Sequence, residues 1–264
     1  MRAPQGELGD SGPANANNLA DHAADLLERL RAHRPRVHCI TNAVAQSLTA
    51  NVLLAAGAVP SMTISPDEVV AFAARADALL VNLGTFDADR RAAAEAVIAQ
   101  AETERKPWVL DPVLIDRSAP RAAYARALAA RRPAAIRLNE SEYLTLAEAV
   151  PPEVFAKRSG AVIAMTGESD LIADGSRILR IANGHPLMAR VTAMGCAGSA
   201  LVAAMLAVEP DALKATAAAL LVFGIAGEIA GETANGPGSF GVHILDALFN
   251  LDRAVIRARA KVSG

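Results

Sequence analysis

Six short runs of the chain, RVHCIT, VPSMTI, ALLVNLG, WVLDPV, AAIRLN and AVIAMTG, are largely apolar along their whole length instead of alternating. A strand with that pattern has both faces in a core, which is the condition of a parallel sheet covered by helices on each side. The segments between the runs are longer and rich in Ala, with Arg and Glu frequent in residues 88–104, and residues 43–56, 66–74 and 88–104 read as crossover helices. Ser65 and Pro66 offer a cap and a first helical residue to the second of them. The expected class is α/β, with a mostly parallel central sheet and helices on both faces. After AMTGESD the pattern changes to LIADGSRILRIANG, which reads as a β-hairpin turning on Asp174-Gly175 at an antiparallel edge. The last third reads as three helices, over residues 198–208, 212–233 and about 240–260.

A chain of 264 residues with 52% hydrophobic content can bury a sizeable core without covalent staples. Its two cysteines, Cys39 and Cys196, form neither a disulfide framework nor a metal-ligand spacing, so a reducing cytoplasm is the expected home. Basic residues number 26 against 28 acidic ones and are scattered, which argues against nucleic acid as a partner. Residues 1–20 carry neither an apolar nor an Arg-rich targeting pattern and are expected to form a flexible tail. No repeat or linker divides residues 21–264, which are expected to fold as one domain. The uncharged stretch from Thr192 to Val208 falls short of a membrane span of about 20 residues and is expected to be a core helix.

Ligands of an open α/β sheet bind beyond the carboxyl ends of its strands. The polar residues there are Thr41-Asn42, Asn82, Gly84-Thr85, Asp111-Pro112, Arg137, Asn139 and Thr166-Gly167-Glu168. They offer a carboxylate for a divalent metal, amides and hydroxyls for a polar ligand, and an arginine for phosphate. Plainer uses exist for each: Asp111-Pro112 as a turn, Arg137 as a surface cation, Asn139 and Glu142 as the cap of a helix beginning ESEY.

The segment VTAMGCAGSALVAAMLAV reads as a strand end, a tight turn on Gly195 and a helix starting at Cys196. A helix mouth leaves backbone N–H groups unpaired and aimed together, an anion site, and a cysteine held there should have a lowered pKa. Packing of a small apolar thiol is the alternative. The segment lacks the lysine and spacing of a Walker loop, and no GxGxxG with the following acidic residue of a dinucleotide site occurs. His38 reads as an interior histidine satisfied by a backbone carbonyl, and His185 as a loop residue.

VHCITNAVAQSLTANVLLAAGAVPSM, LLVNLGT, VLDPV, AMTGESDLIADG, NGHPLMARVTAMGC and GPGSFGVHILDALFNL, in that order, resemble the hydroxyethylthiazole kinase family of thiamine salvage. The resemblance runs from about Val37 to Leu251 and implies a ribokinase-like three-layer sandwich. It implies ATP as cosubstrate, Mg²⁺, and phosphorylation of the hydroxyethyl group of 4-methyl-5-(2-hydroxyethyl)thiazole. A homotrimer with active sites at subunit interfaces is implied as well. By the same resemblance Met62, Asn42 and Ala193 bind the thiazole, and Arg137, Thr166, Asn139 and Gly195 bind ATP. Asp111 and Glu142 lie at the metal, and Cys196 sits beside the transferred phosphate as the catalytic residue.

Three departures from the family pattern stand out. LIDRSAPR, from Leu114 past Ala119, replaces a glycine-rich run and brings Asp116 and Arg117 toward the phosphates; Leu138 replaces a glycine; Ala193, before Met194, replaces another. A related small-alcohol kinase, such as one for hydroxymethylpyrimidine, is the rival enzyme. A nucleotide-binding protein without turnover and a thiol hydrolase using Cys196 with a histidine are the other readings.

Overall fold

Side chains reverse direction at each residue of a strand, so a strand apolar at every position serves two cores at once. The computed structural model describes residues 13–264 and contains β1 Arg36–Ile40, β2 Val59–Ser61, β3 Ala78–Asn82, β4 Trp108–Asp111, β5 Ala135–Asn139, β6 Val162–Thr166, β7 Asp170–Ala173, β8 Ile178–Ile181 and β9 Val262–Ser263. They form one sheet in the order β2-β1-β3-β4-β5-β6-β7-β8-β9. Pairing is parallel from β2 to β6 and antiparallel from β6 to β9. Val37, Cys39, Leu80, Val109 and Ala135 enter the core on one face, while Ile40, Leu79, Val81, Leu110 and Ile136 enter the core on the other.

The helices are α1 Pro13–His33, α2 Gln46–Ala56, α3 Val69–Arg75, α4 Ala88–Glu104, α5 Ala119–Ala129, α6 Glu140–Ala147, α7 Pro152–Ser159, α8 Met194–Leu206, α9 Ala212–Thr233, α10 Pro237–Asn250 and α11 Arg253–Arg259. α1, α2 and α8 to α11 cover the first core; α3 to α7 cover the second. α9 is long and apolar enough to cross a membrane, yet 78% of its most apolar window is buried, and it packs among α1, α8 and α10. Register matters most for function: Asn82 pairs with Asp111 and Asn139 with Thr166, so the polar ends of these strands come level along one edge of the sheet.

Several boundaries differ from the sequence reading. Part of the expected tail is helix: α1 begins at Pro13, and Leu19 and Ala20 are buried, while residues 1–12 lie outside the described residues. α2 begins at Gln46, and α3 begins at Val69 because Ser65–Glu68 closes as a turn with Pro66 at its second position, so Ser65 caps nothing. The final helix breaks in two where Asp252 caps α11, its carboxylate accepting from the Val255 N–H at 2.8 Å. The hairpin turns at Asp174 as expected, but β9 pairs beyond β8.

No strand leads directly into α8, since β8 ends at Ile181. Residues 183–188 instead lie directly on the backbone of α9, where a Cβ at Gly224 would strike the Asn183 carbonyl and one at Gly231 the His185 ring. The His185 ring stacks on Phe240 with centroids 5.6 Å apart, and the chain then passes through a 3-10 turn, Pro186–Arg190, to the mouth of α8. Gly231→Ala should therefore lower unfolding stability by about 1–3 kcal/mol, the usual cost of overpacking, although alanine is the better helix former; urea denaturation measures it.

Candidate active site

At the carboxyl edge of the sheet a chain of polar side chains runs from the mouth of α8 across β1, β3 and β4. Asn42 Nδ2 donates to Cys196 Sγ at 3.3 Å and to Asn82 Oδ1 at 3.2 Å. Asn82 Nδ2 donates to Asp111 Oδ2 at 2.7 Å, and the same oxygen accepts from Ser199 Oγ at 2.9 Å. All five residues are buried. Gly84 lets the network close, since a Cβ there would stand 2.6 Å from Asn42 Nδ2. In so dry a setting each hydrogen bond orients its partner strongly and any unpaired polar atom is costly. Two remain: Asn42 Oδ1 and Asp111 Oδ1 have no hydrogen-bond partner.

Beside these stands Arg137. Its Nε is buried without a partner, and its guanidinium lies against Gly195 in the first turn of α8, where any Cβ would collide with Nη1. A guanidinium set against the positive end of a helix is repelled by it, so an anion bound between them would be attracted by both. The charge of Arg137 is also felt by Asp111, Cys196 and Asp170. Burial nevertheless pushes the Asp111 carboxyl up to about 6, with Glu142 adding in the same direction. Asp170, whose Oδ1 accepts from the Gly167 N–H at 3.0 Å and closes the turn after Thr166, is likewise raised to about 6 by burial.

The Cys196 thiol departs from the sequence reading in sign. It is pushed up to about 11, first by burial and then by the charge of Asp111, which together outweigh Arg137 and the hydrogen bond from Asn42. Among the described residues no histidine joins this network; His38 Nδ1 and Nε2 are taken by Ser61 and Thr63. α8 also starts earlier than expected, at Met194, and the turn before it falls on Ala193 in the left-handed region at φ 68°, not on Gly195.

The remaining expected residues divide. Thr166 closes β6 with its hydroxyl toward the Leu138 carbonyl at 3.4 Å, and Met62 follows β2, partly buried against the first core. Asn139 and Glu142 take the plainer role: Asn139 Oδ1 accepts from the Glu142 N–H and Glu142 Oε2 from the Asn139 N–H, a capping box on α6. Glu142 Oε1 accepts from Leu114 N–H at 2.8 Å. Of the altered loop, Leu114 adopts φ 59°, and Asp116 accepts from Ser141 Oγ at 3.1 Å at the start of α6. Leu138 is fully buried in the second core. Ser199 and Asp170 are the residues that sequence reasoning missed. Ser199 had one legible signal, being the sole hydroxyl of α8 and three residues from Cys196, on the same helix face.

A magnesium ion suits what is here. Asp111 presents one buried, unpartnered carboxylate oxygen, a hard donor. Among the described residues no cluster of three or more ligating side chains exists, and Mg²⁺ commonly takes one or two carboxylates plus substrate phosphates.

Two measurements check this geometry. Cys196 should react with iodoacetamide far more slowly than an open thiol at pH 8, its rate climbing with pH toward about 11, because the thiolate is the nucleophile. Ala193→Gly should raise stability by up to about 1 kcal/mol in urea denaturation, since it relieves a left-handed alanine.

Residues 27–151 and 151–254 match the hydroxyethylthiazole kinase family. The hydroxyethylthiazole kinase of Klebsiella pneumoniae (strain 342) is 47% identical over 243 residues, covering 86% of this chain and 94% of that protein. The solved structure of the hydroxyethylthiazole kinase protein from Pyrococcus horikoshii OT3 superposes with a TM-score of 0.87 at 38% identity, over 91% of this chain and 97% of that one. A ribokinase-like superfamily protein of Enterococcus faecalis shares the fold at 15% identity and a TM-score of 0.66, over 87% of this chain and 95% of that one. With a polar strand edge, an unpartnered arginine at a helix mouth and these likenesses together, the chain belongs to the hydroxyethylthiazole kinase family.

Proposed function

We propose that the protein is a cytoplasmic, ATP-dependent hydroxyethylthiazole kinase, moving the γ-phosphoryl group of ATP to the hydroxyl of 4-methyl-5-(2-hydroxyethyl)thiazole in thiamine biosynthesis and salvage. The observation that carries this reading is Arg137, its buried Nε without a partner among the described residues and its guanidinium laid on Gly195 at the first turn of α8, within the electrostatic reach of Cys196 and Asp111. Phosphoryl transfer runs through a loose transition state and asks the protein mainly for alignment and charge neutralisation. Arg137 and the N–H groups at the start of α8 bind the transferring group. Asn42, fixed by Asn82 and Cys196, orients the alcohol, and Ala193 and Met62 bound the thiazole. Thr166 and the turn closed by Asp170 hold the nucleotide.

Asp111 would hold Mg²⁺ through Oδ1, with Glu142 contributing charge from its place in the α6 cap. The ion supplies neutralisation of the β- and γ-phosphate charge. The hydroxyl oxygen attacks phosphorus as the bond to the β-phosphate bridging oxygen breaks; ADP, the phosphate ester and a proton result. The thiol of Cys196 is protonated at neutral pH, so its part is to shape the site and accept from Asn42, and the alcohol proton leaves late without a strong base.

A homotrimer completes the proposal. The elements at the β2 end of the sheet carry the exposed apolar side chains Leu54, Val59, Val70 and Phe72 on α2, β2 and α3, and Met62 directly follows β2, which suits a subunit contact beside the thiazole.

ADP release in a coupled assay with the thiazole alcohol, ATP and Mg²⁺ tests the activity, and no release would refute it. Arg137→Ala should raise KM for ATP about tenfold or more, the worth of a charge-assisted contact, with KM for the alcohol nearly unchanged. Cys196→Ala should slow kcat by less than the roughly 10²-fold expected for loss of a general base. Sedimentation should give a trimer, and Phe72→Asp should dissociate it.

A further inference from the structure

The HCITN run gives Cys39 and Ile40 to the two cores and Asn42 to the polar network. Its histidine is fully buried in the middle of β1 and does something else. The β1–β2 ladder ends where His38 pairs with Ser61, so the segment that follows, beginning with Met62, leaves the sheet without further strand pairing. The His38 ring takes over at that point. Nε2 lies 3.0 Å from the Thr63 carbonyl oxygen and Nδ1 lies 2.8 Å from Ser61 Oγ. A carbonyl only accepts, so Nε2 carries the hydrogen; Nδ1 is then the acceptor and the Ser61 hydroxyl donates. One ring grips the residues on either side of Met62.

The grip is directional. Ser61 offers His38 its hydroxyl and Thr63 its main-chain carbonyl, whereas Met62 between them packs against the first core, the one that also holds α8. Thr63 is braced further, its hydroxyl donating to Glu68 Oε1 at 2.5 Å and accepting from the Ser65 N–H at 3.3 Å. Burial keeps the ring neutral, pushing its pKa down to about 4, so one tautomer persists across the working range of pH.

We infer that His38 is a positioning residue for the acceptor alcohol: by clamping Ser61 and Thr63 it fixes Met62 against the thiazole ring, and so sets affinity for the alcohol without touching it. The inference rests on the kinase reading above. Removing the clamp loosens one wall of the alcohol pocket and leaves Arg137, Asp111 and the mouth of α8 in place.

The test is steady-state kinetics on the full chain with ATP, Mg²⁺ and the thiazole alcohol. His38→Leu removes both contacts and should raise KM for the alcohol roughly threefold to tenfold, the worth of one or two neutral hydrogen bonds, with KM for ATP and kcat nearly unchanged. His38→Gln, which can still donate to the Thr63 carbonyl, should recover most of the loss. Ser61→Ala, a change in a partly exposed edge strand, should give a smaller rise in the same constant and serves if His38→Leu fails to fold. Met62→Ala should raise KM for the alcohol, and the Ser61 and His38 changes should add little on top of it. Equal rises in both KM values, a fall in kcat alone, or full additivity with Met62→Ala would overturn the inference. A parent protein that releases no ADP with the thiazole alcohol would instead sink the kinase reading and this inference with it.

Discussion

A sheet that is apolar on both faces leaves one place for chemistry, the line where its strands stop. Asn42, Asn82 and Asp111, buried near the sheet centre, stand at or just past a carboxyl end, because a hydrogen-bonding side chain further back faces hydrocarbon unless, like His38 in the middle of β1, it finds its own partners. Parallel pairing then decides which of these residues meet. Asn82 is opposite Asp111, so the amide and the carboxylate bond across the β3–β4 ladder, and the network reaches α8 through Asn42 on one side and Ser199 on the other.

Two electrostatic influences compete at the mouth of α8. The helix end and Arg137 make the site attractive to anions, yet the thiol placed there is desolvated and near a carboxylate, and desolvation wins. The outcome is a site whose charges favour an anion while its thiol stays protonated. For an enzyme whose reaction is the displacement of one phosphate oxygen by an alcohol, a permanent thiolate would be an unwanted competing charge and nucleophile.

Much of this was legible. The strands announced themselves by unbroken apolar runs, and the strand-end residues by being the only polar groups in those positions. The capping box was equally visible as Asn139 followed by Glu142, and it absorbed two residues that resemblance would give to ATP and metal. Hidden features depended on contacts distant in sequence. The ionisation of Cys196 turns on burial and then on Asp111, and the hydrogen bond of Ser199 on the same carboxylate, neither of which helix periodicity reveals. Leu114 and Ala193 both take left-handed backbone where resemblance points to glycine, so the loops keep their path at a local cost that composition does not display.

Both rims of the sheet are short: β2 has three residues and β9 two. An unpaired rim of that length offers too few N–H and C=O groups for another chain to add itself as a strand. Any contact between copies at these rims is thereby steered away from strand addition and toward side chains, such as the exposed Leu54 and Phe72. The two-residue β9 also acts as a cover for β8, whose four residues would otherwise form the rim, so trimming the last few residues of the chain would convert a protected margin into an adhesive one.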